Sequence, residues 1–173
     1  IVGADAPQDV AAVANTPSWP KKDVALKNII VVADGIQDPG NIGTLFRLCA
    51  GFDASLILIE SADPTNVKTI RSSAGLIFQV PWLEIPRIDA EKYIQNFNRL
   101  ILRLENKNTA LYCHQLKETN LLKEKVILIA GSEGQGIKLG IKAKSLSVKT
   151  NKNVESLNVA TACAIALHSL KNY

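Results

Sequence analysis

Three short runs in the sequence are almost entirely apolar, and they limit the folds open to this chain. They are residues 28–33 (NIIVVA), 55–60 (SLILIE) and 125–131 (KVILIAG). A strand that is apolar on both faces must be covered on both sides, as in the centre of a parallel sheet flanked by helices. A stretch with helical character begins at Ile42 between the first two runs, so the order strand, helix, strand predicts a mostly parallel α/β fold.

The remaining segments extend this alternation. Residues 66–78 predict a short helix, and the two prolines of 80–86 (VPWLEIP) favour an extended edge strand or connection. Residues 89–104 carry apolar side chains at helical spacing, which predicts a helix that covers one face of the sheet. These positions are Tyr93, Ile94, Phe97, Leu100, Ile101 and Leu104. Further strands are predicted at 109–113 and near 146–148, followed by a final apolar helix from Ser156 to Leu170.

Length and composition predict one folded domain. A chain of 173 residues with 47% hydrophobic content can bury one sizeable core and leaves no room for a second full domain. Residues 1–28 contain the breaker cluster TPSWPKKD and predict an N-terminal arm or linker, which could carry an edge strand around Val10–Val13. Residues 29–173 are the predicted domain. Since the sequence contains no methionine, we expect the chain to be a piece of a longer protein.

Several functional classes are disfavoured by composition. No apolar run approaches the roughly 20 residues of a membrane-spanning helix, and the start of the chain lacks the order of a signal peptide, so we expect a cytoplasmic protein without membrane contact. Cys49, Cys113 and Cys163 are widely spaced and predict core residues rather than a disulfide framework or metal site. The net charge of +4 permits nucleic-acid binding but is equally typical of an ordinary soluble enzyme.

Ligands of open parallel sheets bind beyond the carboxyl ends of the strands, so the loops there are the informative ones. The first, 34–41, ends at Asn41, which is well suited to cap a helix from Ile42. Arg47 follows within two helical turns and could reach back toward the loop if that helix face forms a wall of the site. Spacing alone is equally consistent with a helix cap and a surface arginine.

Two later loops have unusual compositions. Residues 131–136 (GSEGQG) hold three glycines, which let backbone amides approach a ligand, and Glu133 is their only charged residue. A phosphate would fit such a loop, but the carboxylate disfavours it and no known phosphate motif matches. Ser156 and Asn158 precede a helix rich in alanine. These could be pocket residues or a simple helix cap on a core helix.

Four blocks taken in order are more specific than any single loop. QDPGNIGTLFR, RSSAGLIFQVP, LIAGSEGQGI and VESLNVATA resemble the motifs of the SpoU branch of the SPOUT methyltransferases, over roughly residues 29–170. The resemblance implies S-adenosylmethionine-dependent methylation of a ribose 2'-OH in RNA, with rRNA favoured over tRNA. It also implies a deep C-terminal trefoil knot, an exception to the rule against threaded connections, and a homodimer with a shared active site.

The resemblance assigns the site residue by residue. It implies a catalytic set, which is Asn41, Arg47, Glu133, Ser156 and Asn158. It places the cofactor at Ala130, Gly131, Gly136, Val148 and Leu157, with the glycines making room, and it implies no metal. One departure is the turn before the last helix, where Val148, Lys149 and Thr150 replace the Ile-Pro-Met type turn of many relatives.

Two other functions remain as alternatives. A non-catalytic RNA-binding or scaffolding protein could keep the knotted fold, although a retired site would have no physical reason to keep the catalytic set. A generic nucleotide-binding α/β protein would bind a nucleotide phosphate instead of the methyl donor.

Overall fold

A computed structural model of the chain describes residues 12–107, 109–123, 125–151, 153–154 and 156–171. The strands in these residues are β1 (Ile29–Asp34), β2 (Ala54–Ile59), β3 (Trp82–Glu84), β4 (Leu100–Leu104), β5 (Leu111–Tyr112), β6 (Val126–Gly131) and β7 (Lys144–Ser147). The α-helices are α1 (Lys21–Leu26), α2 (Pro39–Gly51), α3 (Val67–Ser72), α4 (Arg87–Gln95) and α5 (Val159–Lys171), and short 3-10 helices lie at Leu76–Phe78, Cys113–Glu118 and Asn120–Lys123.

The seven strands form one sheet in the order β3-β2-β1-β6-β4-β7-β5, and every strand pair is parallel. The predicted mostly parallel α/β fold is therefore confirmed. The strand β6, predicted from its apolar run to be central, has three strands on each side. The strand β3 lies at one edge, as its neighbouring prolines predict.

Alternate residues of the central strands feed two separate cores, because successive side chains of a strand point to opposite faces. Val31, Leu56 and Leu128 belong to the core beneath α2 and α5. Ile30 and Ile57 belong to the core on the other face, which also contains buried residues of α1 and α4. Coverage of both faces explains why these strands are apolar throughout.

The predicted helix over 89–104 is wrong in its second half. Helix α4 ends at Gln95, and Leu100–Leu104 form strand β4 between β6 and β7. Asn98 lies between the two elements with a φ of 49°, a left-handed conformation that asparagine tolerates. Apolar residues at 100, 101 and 104 suit a helix face and a sandwiched strand equally well, so spacing alone could not separate them.

The end of the predicted N-terminal arm is helical. Helix α1 spans Lys21–Leu26, and its Val24 is fully buried in the core beside α4. Residues 12–20 contain no strand, and Val13 is exposed. The rest of the proposed edge strand, Val10 to Ala11, lies outside the described residues.

The three cysteines are buried and unpaired, which confirms their predicted place in the core. Burial raises the pKa of the Cys163 thiol to about 12, and it raises the pKa of Cys49 still further. Such thiols stay protonated at neutral pH and are poor nucleophiles.

Candidate active site at the carboxyl edge of the sheet

Helix α2 begins three residues earlier than predicted, and this frees Asn41. Asp38 is the N-cap, and its side chain accepts the backbone N–H of Asn41 at 2.9 Å. This hydrogen bond lowers the pKa of the Asp38 carboxyl. Pro39 occupies the first turn, where its missing N–H is tolerated. The predicted capping role of Asn41 is therefore wrong, and its side chain is available for contacts across the site.

Three predicted residues from three separate segments of the chain meet in what we call the polar cluster: Asn41, Glu133 and Asn158. The Asn41 Nδ2 donates to Glu133 Oε1 at 3.2 Å. The Asn158 Nδ2 lies 2.9 Å from Asn41 Oδ1 and 3.0 Å from Glu133 Oε1, and it donates to both. The backbone N–H of Val159 adds a longer contact to Glu133 at 3.3 Å. The cluster thus joins residues up to 117 positions apart.

Helix α5 begins at Val159 rather than Ser156, so the predicted start is wrong by three residues. Asn158 caps this helix, because its Oδ1 accepts the backbone N–H groups of Ala160 and Thr161 at 3.0 and 3.2 Å. Asn158 therefore uses its amide nitrogen for the polar cluster and its oxygen for the helix. Ser156 lies before the helix and lines a cavity instead.

Arg47 is exposed and stands apart from the polar cluster. It lies six residues after Asn41 on α2, so its side chain leaves the helix roughly 120° around the axis from that of Asn41. It makes no hydrogen bond or ion pair within the described part of the chain. Among the described residues of a single chain, Arg47 is therefore not bonded to the other catalytic candidates.

Two glycines of the second loop, Gly131 and Gly136, are needed by the loop itself. Ser132 and Gly136 form an antiparallel bridge, and Gly136 has a φ of 66°. A Cβ added to Gly131 would lie 2.2 Å from the carbonyl of Gly136, which no side chain tolerates. Loop closure thus gives these glycines a structural reason besides the predicted space for a cofactor.

A cavity of about 110 Å³ opens next to the polar cluster. It is lined by Leu104, Glu105, Asn106, Ser147, Val148, Thr150, Ser156, Leu157 and Ala162. Two of the five predicted cofactor residues, Val148 and Leu157, are among these, whereas Ala130, Gly131 and Gly136 are not. Leu157 directly precedes Asn158, so one segment of chain contributes to both the cavity and the polar cluster.

Glu105 is a lining residue that the sequence analysis missed. Burial by itself would raise the pKa of this carboxyl, but hydrogen bonds from Ser145 and Lys107 outweigh burial and lower the pKa below its ordinary value. The Ser145 Oγ donates to it at 2.6 Å. Glu105 is therefore an ionised carboxylate at the wall of the cavity at neutral pH.

Asp34 is a second missed residue, and it holds both ends of the loop that carries Glu133. Its backbone pairs with Gly131 in the sheet. Its carboxylate is fully buried and accepts the backbone N–H groups of Lys138 and Leu139 at 2.6 and 2.9 Å. Arg87 forms an ion pair with it at 2.8 Å. A single acidic residue closing an apolar strand was the only signal of this role.

In the described ranges, no helix is both long and apolar enough to cross a membrane. The same residues contain no group of three or more histidine, cysteine or acidic side chains placed to hold a metal ion.

Comparison with known proteins identifies the family. The profile of the SpoU rRNA Methylase family matches residues 28–168, and the chain belongs to this family. The chain is 31% identical over 176 aligned positions to the 23S rRNA (guanosine(2553)-2'-O)-methyltransferase RlmP of Bacillus subtilis, covering 99% of this chain and 68% of that protein. It is 28% identical to the 23S rRNA (adenosine(1067)-2'-O)-methyltransferase of Streptomyces laurentii, covering 83% of this chain and 54% of the relative.

The fold also matches a solved structure. The AdoMet-bound rRNA methyltransferase from Sinorhizobium meliloti superimposes with a TM-score of 0.72 at 24% identity, over 82% of this chain and 55% of that chain. This is a similarity of fold. The chain thus spans about half to two thirds of the length of the proteins it resembles.

Proposed function

We propose that this chain is the catalytic domain of an S-adenosylmethionine-dependent RNA 2'-O-ribose methyltransferase, with rRNA favoured over tRNA as substrate. The observation that carries the proposal is the meeting of Asn41, Glu133 and Asn158 beside a cavity lined by Val148 and Leu157. The family assignment supports the reaction class. Both named relatives are ribose methyltransferases of 23S rRNA, which favours an rRNA substrate.

The residues of the cavity fit the proposed cofactor. Leu104, Val148, Leu157 and Ala162 supply apolar contacts for an adenine ring, while Glu105 and Ser156 supply polar groups. Such a mixture of apolar wall and a few polar groups is typical of small-molecule sites. The volume of about 110 Å³ is below the roughly 300–1,000 Å³ of most such sites, so a further surface is needed to enclose the whole cofactor.

A homodimer would supply that surface. Arg47 is exposed and has no hydrogen bond to the polar cluster of its own chain within the described residues, and in a shared active site it would serve the cofactor of the partner. We further propose that the chain from β6 to α5 forms the trefoil knot of the family. The segment 137–141 lies on one face of the sheet and α5 on the other, a course consistent with a threaded C-terminus. Sedimentation as a dimer at micromolar concentration is expected, and a clean monomer would contradict the shared site.

When bound, the cofactor supplies an electrophilic methyl group on a sulfonium. The protein must align a ribose 2'-OH with it and accommodate the proton that is lost, and alignment can contribute about 7–11 kcal/mol at best. Arg47 would hold a phosphate of the RNA through its guanidinium group and stabilise negative charge that develops on the attacking oxygen. The bound cofactor would supply the methyl group and leave as a neutral thioether, while a phosphate oxygen of the RNA would accept the proton of the 2'-OH. Asn41, Glu133, Ser156 and Asn158 shape the pocket.

Analysis of product RNA tests this function. The protein is incubated with S-adenosylmethionine and rRNA, and the RNA is then digested to nucleosides and subjected to alkaline cleavage. We expect 2'-O-methylnucleosides and one linkage that resists alkali, because a methylated 2'-oxygen cannot attack the neighbouring phosphate. Methyl groups on a base would refute the assignment, and RNA binding without methyl transfer would favour the non-catalytic alternative.

A further inference from the structure

The two oxygens of the Glu105 carboxylate have different environments. Oε1 accepts the Ser145 hydroxyl at 2.6 Å, pairs with Lys107 Nζ at 2.9 Å and contacts Arg103 Nε at 3.3 Å. Oε2 has no hydrogen-bond or ion-pair partner within the described part of the chain. Contacts to one oxygen alone hold the carboxylate in a fixed orientation and leave the other oxygen as an open acceptor.

Glu105 lines a cavity whose other residues are half apolar and half uncharged polar. The Glu105 side chain is 17% exposed, and Leu104, Val148 and Leu157 line the same space. An ionised carboxylate accepts hydrogen bonds and donates none, so a ligand that fits must present donors to it. A ligand phosphate would be repelled, because both groups are negative.

A nucleoside without a phosphate satisfies both conditions. Its ribose carries two neighbouring hydroxyl groups, each able to donate, and an acidic side chain is the group that dinucleotide-binding folds place on a ribose hydroxyl. The apolar wall beside Glu105 suits the attached base.

We infer that Glu105 accepts hydrogen bonds through Oε2 from the ribose hydroxyls of the nucleoside part of the bound cofactor, and so selects an unphosphorylated ribose. The inference rests on the proposed function, because it assumes that the cavity holds the S-adenosyl group. Ser145 acts through Glu105 as a positioning residue, since its hydroxyl fixes the other carboxylate oxygen.

Calorimetric titration of the whole chain with S-adenosylhomocysteine tests the inference without any RNA. Glu105→Gln is expected to weaken binding about tenfold, the loss associated with a hydrogen bond to a charged group. Glu84→Gln is the matched control, because it makes the same change on strand β3, at an edge of the sheet away from the cavity. The affinity of this variant for S-adenosylhomocysteine should stay within about twofold of that of the parent chain.

A second probe assigns the contact to the ribose. Removal of the 2'- and 3'-hydroxyls from S-adenosylhomocysteine should weaken binding to the parent chain about tenfold and have little effect on Glu105→Gln, as expected for two groups in direct contact. Equal losses of affinity in both proteins would overturn the inference even if Glu105→Gln unfolds more easily.

A third ligand, 5'-methylthioadenosine, lacks the amino acid part of S-adenosylhomocysteine. If Glu105→Gln weakens the binding of this ligand to the full extent, the result supports the ribose contact, whereas an unchanged affinity would assign the carboxylate to the ligand's ammonium group. Failure of the parent chain to bind S-adenosylhomocysteine would instead overturn the proposed function.

Discussion

The polar cluster and the cavity lie side by side at the carboxyl edge of the sheet, yet their carboxylates have different surroundings. In the polar cluster, Asn41, Glu133 and Asn158 are partners of one another. In the cavity, Glu105 is fixed through one oxygen and leaves the other open. The hydrogen bonds of the polar cluster join three separate segments of the chain, whereas Glu105 lines a cavity into which a ligand can bind. We therefore assign a structural role to the polar cluster, which is the framework of the site, and ligand recognition to the cavity.

The framework depends on Asp34, and its loss should give the largest effect on stability. Asp34→Asn removes the charge that faces Arg87 and, in either amide orientation, places an N–H donor against another donor, which is Arg87 or the N–H groups of Lys138 and Leu139. Breaking a buried pair from one side costs about 3–5 kcal/mol, so urea denaturation should report a loss of at least about 3 kcal/mol in the free energy of unfolding. Glu60→Gln breaks an exposed ion pair of the same arginine and should cost about 1 kcal/mol or less. Equal losses would remove Asp34 from the framework.

Arg47 belongs to neither region of its own chain, so its replacement should separate catalysis from binding. Arg47→Ala is expected to slow methyl transfer about 10²–10³-fold, the usual effect of losing one group that stabilises transition-state charge. The affinity for S-adenosylhomocysteine should stay within about twofold, as measured by calorimetry. Arg71→Ala, on the exposed surface of α3, is the control. Undiminished transfer by Arg47→Ala would exclude it from the mechanism.

Glu133→Ala tests whether the polar cluster and the cavity have different roles in methyl transfer and cofactor binding. It removes the acceptor shared by Asn41, Asn158 and the backbone of Val159, so Asn41 loses part of its support. We expect about a tenfold lower rate of methyl transfer in single-turnover experiments, of the order of one hydrogen bond to a charged group. Cofactor affinity should fall less than in Glu105→Gln. The reverse order of the two affinities would exchange the roles assigned to the two regions.

The smallest effect is expected at the start of α5. Asn158→Ala removes the cap and should lower the free energy of unfolding by about 1 kcal/mol, whereas Ser156→Ala, two residues earlier, should change it by less than about 0.5 kcal/mol. Thermal denaturation of both variants against the parent chain measures the difference. A larger loss from Ser156→Ala would restore the originally predicted cap.

The strands that bury both faces were predictable because their apolar runs are short and uniform. The boundary between α4 and β4 was not, since a strand sandwiched between helices and a helix face share the spacing of Leu100, Ile101 and Leu104. The cap of α2 was missed by three residues because Asp38 and Asn41 are both good caps. Only the structure shows that Pro39 opens the helix and that Asn41 turns its side chain to Glu133.

The candidate site likewise contains residues that the sequence predicted and residues that it did not. Asn41, Glu133 and Asn158 were predicted through the family resemblance of their motifs, and no spacing rule could have paired positions 92 or 117 residues apart. Asp34 and Glu105 were missed because the role of a single carboxylate depends on the partners that the fold brings to it. Gly43 is a motif residue with a packing reason: a Cβ there would lie 1.8 Å from Ser72 Oγ, so its absence lets α3 cross α2 closely.

Calorimetric titration of the parent chain with S-adenosylhomocysteine tests the cofactor site without the RNA substrate. We expect saturable binding with one ligand per chain, weakened by Glu105→Gln and nearly unchanged by Arg47→Ala. Absence of saturable binding to a folded protein would contradict a cofactor site in this cavity and, with it, the proposed methyl transfer.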